Sequence, residues 1–180
     1  MIESTTQDGV AVLAMRHGKA NALDIELCQA LCGALDDAVA GGAAAVVLTG
    51  AGPVFSAGVD LKRVTAGREG YVAAFLPELR RVFTRLAALE LPVVAAVNGQ
   101  ALARGLVDEA VPAAELADRS LAAARRLAAL GPAFGLTKRQ LRQQFLARVH
   151  DLAVLDAEVD AIWKAPATLE RIGSFMTSLK

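Results

Sequence analysis

Apolar residues fill Val10 to Met15, and Asp8-Gly9 immediately ahead of them is a two-residue hairpin signal. Met1 to Thr6 and Val10 to Met15 are therefore expected to pair as antiparallel strands. A loop, Arg16 to Asn21, follows. Asp24 is then placed to cap a helix whose apolar positions Ile25, Cys28, Cys32, Leu35 and Val39 recur at helical spacing, and Gly41-Gly42 ends it. Ala44 to Leu48 is a short continuous apolar run, the pattern of a strand buried on both faces, and it stops abruptly at Thr49-Gly50-Ala51-Gly52-Pro53. Tyr71 to Leu89 reads as helix, with Phe75, Leu79, Val82, Leu86 and Leu89 on one side, and Pro77 must lie in its first turns or bend it. Pro92 opens a second buried strand, Val93 to Val97, ending at Asn98-Gly99.

The remainder differs in kind. Pro112 is placed to start a helix reaching Leu130, where Gly131-Pro132 stops it, and helical stretches follow around residues 137–151, 152–164 and 169–179. Strand, strand, helix, strand, helix, strand is the order of an α/β chain with a largely parallel sheet and covering helices. Residues 1–111 form that core and residues 112–180 a helical region suited to oligomer contacts or a lid. Ligands in such sheets gather past the C-terminal strand ends, where the loop beginning at Thr49 sits.

Composition narrows the partners. The chain has 180 residues, 54% hydrophobic, enough for a single domain with its own core. Nineteen basic and nineteen acidic residues cancel, so no net field draws it to nucleic acid or an anionic membrane. No membrane span or signal peptide is visible, and a soluble, cytoplasmic protein is the expectation. Cys28 and Cys32 read as core residues, and no metal site is expected. His17 and His150 are the only histidines, no Gly-x-Ser-x-Gly elbow accompanies them, and Ser56 has no motif-supported partner for hydrolase chemistry.

The chemistry concentrates at Ser56 to Lys62. Gly52 and Gly58 bracket a loop after a buried strand, and Asp60 suits the start of a following helix. The Val59 amide would then be an unpaired donor at a positive helix end, a place where a developing oxyanion is stabilised. Gly58 allows the backbone to turn and a substrate to approach closely. On spacing alone a plain loop-to-helix junction remains the alternative.

Three ordered segments resemble the crotonase (enoyl-CoA hydratase/isomerase) family: Asn21-Ala22-Leu23, Phe55-Ser56-Ala57-Gly58-Val59-Asp60-Leu61, and Pro92-Val93-Val94-Ala95-Ala96-Val97-Asn98-Gly99. A fourth, Gly105 to Val111, is similar to the marker that precedes the family's C-terminal helices. The resemblance implies a crotonase-like spiral of ββα units with a C-terminal helical trimerisation region. It also implies an acyl-CoA thioester as substrate, coenzyme A entering as part of that substrate rather than as a cofactor, and a homotrimer or dimer of trimers. By position, the Val59 N–H with Gly58 resembles the first oxyanion donor. The backbone carbonyls of Ala22 and Ala57 match the adenine site, and Lys19, Ala20, Ser56, Asp60, Leu61 and Lys62 fall within the substrate-binding segments. Arg16 or Lys19 is placed to approach CoA phosphates, and Phe175 resembles a position that reaches a neighbouring subunit's CoA.

The pattern then breaks. The family's second oxyanion donor and its acid/base glutamates belong directly after the segment ending at Ala103, but the chain continues with Arg104-Gly105. Only Asn98 to Gly105 separate the strand ending at Val97 from the strand-like Leu106 to Val111, and a parallel crossover with its helix needs roughly 10–12 residues. Several dozen residues are therefore expected to be missing between Ala103 and Arg104, either left out of the chain or lost by internal deletion.

Overall fold

The computed structural model describes residues 1–98, 107–151 and 153–178. Strands β1 (Ile2–Gln7) and β2 (Val10–Met15) pair antiparallel with Gln7 opposite Val10. The intervening Asp8 and Gly9 both take positive φ, 49° and 77°, the twist that a tight hairpin requires. Strands β3 (Ala45–Gly50) and β4 (Val93–Ala96) continue the sheet in parallel, in the order β1-β2-β3-β4.

Alternation along β3 divides the core. Val46 and Leu48 join Leu13, Met15, Leu27, Cys28, Leu35, Val64 and Phe75 on one face, beneath helices α1 (Ile25–Ala40) and α2 (Leu61–Ala88). Ala45 and Val47 face the other way, with Val10, Val94 and Ala96, beneath helix α3 (Leu116–Ala128) and its Leu121 and Ala124. The strand is thus buried on both faces, as its continuous apolar run predicts. Helices α4 (Pro132–Asp151), α5 (Ala153–Lys164) and α6 (Pro166–Ser178) complete the chain. Among the described residues no helix is long and apolar enough to cross a membrane.

Four expectations are corrected. Residues 107–111 form no strand: Asp108 and Glu109 interrupt the apolar run, and Glu109 turns outward to pair with Arg119. Pro112 caps a single 3-10 turn (Ala113–Glu115), and regular helix begins only at Leu116. Gly131 does end a helix, but Pro132 at once opens α4, because a missing N–H costs nothing in a first turn. Finally, α2 bends at Arg68 and not at Pro77, which lies inside it. The Ala103–Arg104 junction lies outside the described residues.

Candidate functional site

The loop after β3 folds back over its own strand end. A Cβ on Gly50 would meet the Val54 carbonyl oxygen at 2.4 Å and the Phe55 Cα at 2.6 Å, so this return requires glycine. The loop then runs beside the loop after β2. Ala57 N–H donates to the Ala20 carbonyl (2.9 Å), Leu23 N–H to the Gly58 carbonyl (2.7 Å), and Asp60 N–H to the Leu23 carbonyl (2.9 Å). This is a short parallel ladder with Leu23 bridged to Val59.

That register fixes the direction of the Val59 amide. When Leu23 bonds to the residues on either side of Val59, Val59 turns its own N–H and C=O away from Leu23. Among the described residues the Val59 N–H meets no acceptor, and the carbonyls of Ala22 and Ala57 accept no hydrogen bond. Gly58, at φ 82°, supplies the turn that sets the amide. Asp60 follows as the cap of α2, its Oδ1 accepting from Lys62 N–H (3.0 Å) and Arg63 N–H (3.1 Å). The Val59 donor therefore sits at the positive end of α2, just outside the capped turn.

Side chains lock the two loops. Asn21, 2% exposed, donates from Nδ2 to the carbonyls of Val54 (3.0 Å) and Phe55 (3.2 Å), while its Oδ1 accepts from His17 N–H (2.8 Å). The Ser56 hydroxyl donates to the Asn21 carbonyl (2.7 Å) and accepts from Gly58 N–H (3.1 Å). Beneath them Asp24 caps α1 through Leu27 N–H (2.8 Å) and also binds His17 Nε2 (2.6 Å) and Arg63 Nη1 (2.7 Å). Burial works to raise the Asp24 pKa, but the Leu27 amide, His17 and Arg63 outweigh it and hold the carboxyl below its ordinary value. Arg63 also pairs with Glu26 through both carboxylate oxygens and lies 5.3 Å over the Tyr71 ring.

The sequence-derived residues therefore separate by role. Val59, Gly58, Ala22, Ala57, Ser56, Asp60 and Leu61 converge at the junction of the two loops, with Ala20 tied in through its carbonyl. Lys19 and Lys62 are exposed, and neither forms an ion pair among the described residues. Arg16 is instead held by Glu3, Nε to Oε1 at 2.6 Å and Nη2 to Oε2 at 3.1 Å. The serine, histidine and carboxylate do not form a relay: His17 meets Asp24, but the Ser56 proton goes to Asn21. Arg63 and Asn98 also belong to this site, although no sequence motif assigns either a role in it. Asn98 closes it from the β4 side: its carbonyl accepts from Phe55 N–H (3.0 Å) and its Nδ2 donates to the Gly50 carbonyl (3.0 Å). The Asp60-x-x-Arg63 spacing is the one signal that marks Arg63, since it puts both groups in the first turn of α2. No group of three histidine, cysteine or carboxylate side chains gathers to hold a metal among the described residues.

A family model described as enoyl-CoA hydratase/isomerase matches residues 5–106, which takes in the first three motifs and only the beginning of the fourth. The probable enoyl-CoA hydratase echA6 of Mycobacterium tuberculosis is 35% identical over 107 residues, which is 59% of this chain and 42% of that protein. The chain spans about two fifths of the length of the curated relatives it matches. Among solved structures, the probable enoyl-CoA hydratase ECHA3 of M. tuberculosis superposes with a TM-score of 0.78 at 25% identity, covering 89% of this chain and 96% of its own. The human mitochondrial delta3-delta2-enoyl-CoA isomerase shares the fold, with a TM-score of 0.90 at 18% identity over 99% of this chain and 97% of its own. With more than half of its length matched by one family model, the chain belongs to the enoyl-CoA hydratase/isomerase family.

Proposed function

We propose that this protein binds an acyl-CoA thioester and polarises its carbonyl with the Val59 N–H, stabilising an enolate-like intermediate. The observation that carries the reading is the unpaired Val59 amide, turned away from Leu23 at the N-terminal end of α2. A preorganised donor of this kind is worth roughly 10²–10³ in rate where one has been removed from other enzymes. The unpaired carbonyls of Ala22 and Ala57 would receive the adenine amino group, and Lys19 and Lys62, exposed on the flanking loop and helix, would meet CoA phosphates. The acid/base groups belong to the stretch expected between Ala103 and Arg104. The working form is a cytoplasmic homotrimer or dimer of trimers, assembled through the C-terminal helices.

A second reading, a CoA-binding or assembly module without turnover, is favoured by the state of the nearby carboxylates. Asp24 and Glu26 are engaged by Arg63, and Asp60 by the amides it caps. None is free to move a proton at the thioester. Purified protein is titrated with CoA by calorimetry and then assayed with crotonyl-CoA. Binding with turnover supports the first reading, binding without turnover the second, and absence of binding removes both. Gly58→Ala, which forces a side chain onto a backbone at φ 82°, is expected to lower turnover at least tenfold by displacing the neighbouring amide.

A further inference from the structure

Helix α2 begins against the usual electrostatic preference. Its first turn carries Lys62 and Arg63 and no acidic residue, although the positive end of a helix favours carboxylates. Arg63 is offset by partners on another element. Its Nη1 donates to Asp24 Oδ2 at 2.7 Å, its Nη2 to Glu26 Oε1 at 2.8 Å, and its guanidinium lies 5.3 Å over the Tyr71 ring. The Glu26 contact is open to solvent and contributes little stability by itself. Asp24 differs: only 3% of its side chain is exposed, and Leu27 N–H and His17 Nε2 already hold its carboxylate, so Arg63 docks on a fixed anchor.

The anchor lies where the oxyanion donor is aimed. Both backbones leave the Leu23–Val59 bridge straight into helix caps, Asp24 for α1 and Asp60 for α2. Arg63 therefore ties the two helix starts together just beyond the bridge. The rest of α2 does not supply that tie, because Arg68, at φ 48° and ψ −146°, interrupts the helix ahead of the stretch that buries Val72, Phe75, Leu76 and Val82. Within residues 61–67 only Val64 is buried. Its apolar contact sets the depth of the segment but, being non-directional, not its rotation. A planar guanidinium bound to two carboxylates and stacked on a ring does fix a rotation.

We infer, resting on the acyl-CoA reading above, that Arg63 is a positioning residue for the Val59 donor. By clamping the start of α2 onto Asp24 and Glu26, it keeps the Val59 N–H on the thioester carbonyl. Arg63 touches no substrate in this role; it acts through the backbone that joins it to Val59.

The test reads the carbonyl itself. The full chain is titrated with butanoyl-CoA carrying carbon-13 at the thioester carbon, and the carbonyl stretch of the bound ligand is followed by isotope-edited infrared difference spectroscopy. Hydrogen bonding from Val59 is expected to move that stretch to lower frequency. Arg63→Met, which keeps an apolar stem over Tyr71, should remove about half or more of the downward shift while CoA alone binds as tightly as it does to the parent. Arg63→Lys should lose less, because an ammonium keeps the charge without the planar fork. Arg85→Ala is the control for helix docking: it breaks the Arg85–Asp36 pair (2.7 Å), a second tie between α1 and α2 near their other ends, and should leave the shift unchanged. Circular dichroism first establishes that each variant keeps its helix content. A full shift in Arg63→Met would overturn the positioning role and leave the acyl-CoA reading standing, and so would an equal loss in Arg85→Ala. A parent that binds the thioester without any shift would overturn this inference together with the oxyanion role of Val59. No binding of the thioester would overturn the whole acyl-CoA reading and this inference with it.

Discussion

Asn21 shows how much one residue does here. Its backbone is at φ 50°, a region in which asparagine is among the few side chains at ease, and its amide serves three backbone groups from two loops. Replacing it with alanine leaves the Val54 and Phe55 carbonyls and the His17 N–H without their partner. We expect Asn21→Ala to lower stability by about 1–3 kcal/mol, measured by urea denaturation, with a larger loss of acyl-CoA binding than of helix content. Equal stability for the two proteins would show that the loops hold without it. The sequence marks Asn21 through its place in a motif, yet the motif says nothing of what the amide binds. Two of its three partners, Val54 and Phe55, are more than thirty positions away, and only the parallel ladder between the two loops brings them to it. Arg63 is less visible still, because its value comes from meeting Asp24, Glu26 and Tyr71 at once.

Strands and the first helix are legible because burial marks the sequence: β3 is a continuous apolar run, since its alternate residues enter opposite cores, and α1 repeats its apolar residues at helical spacing. Breaks are less so. Helix α2 carries Pro77 in its interior, yet the non-helical residue is Arg68, at φ 48° and ψ −146°, between Gly67 and Gly70. This conformation is nearly reserved for glycine and costs an arginine about 1–3 kcal/mol. Arg68→Gly should relieve that strain at an entropic cost of about 0.5–1 kcal/mol, for a net gain near 1 kcal/mol, or roughly 2–4 °C in melting temperature. A lower melting temperature would mean the arginine side chain earns its place by contacts of its own. Helix α4 is held differently, by cations on the end of α2 and the segment after it: Arg142 Nη1 donates to the carbonyls of Ala87 (3.2 Å) and Leu86 (3.4 Å), and Lys138 Nζ to that of Leu91 at 2.8 Å. Burial, with Arg142 close by, lowers the Lys138 pKa to about 8 from 10.5. Between those values the unfolded chain holds more protons than the folded one, so this lysine makes stability rise with pH across that window. Cys28, pushed up to about 12 by burial, acts in the opposite sense above pH 9. The comparison with Lys138→Met isolates the lysine: the difference in unfolding free energy between the two proteins should grow in favour of the parent from pH 8 to 10.5, by less than the full shift would give because the half-buried ammonium is screened by solvent. A difference that is constant with pH would refute it.

For the whole molecule, the decisive surface is the helical region. Polar contacts with α2 and the segment after it hold α4, those of Lys138, Arg142 and the Arg139–Glu90 pair (3.0 Å) among them, while Leu136, Leu141 and Phe145 stay outside any core. Leu141 is 78% exposed, Leu136 and Phe145 more than half, and Ile162 on α5 and Phe175 on α6 likewise. Single exposed apolar residues are ordinary, but several on consecutive helices mark a surface built to be covered. The sequence marks residues 112–180 as a helical region suited to oligomer contacts or a lid; which of its apolar side chains stay outside is not legible there, because that depends on how α4 docks. The oligomer proposed above accounts for the remainder. Light scattering should give a mass that is a multiple of the 18.7 kDa chain, and Leu141→Glu combined with Phe145→Glu should reduce it toward a single copy. Both positions lie in solvent in the isolated chain, so the helix content should survive the change, and a retained circular dichroism spectrum separates lost assembly from lost folding. A parent protein that runs as one copy at micromolar concentration would remove the assembly from this account and leave Val59 and its ladder to Leu23 as a donor that one chain forms by itself.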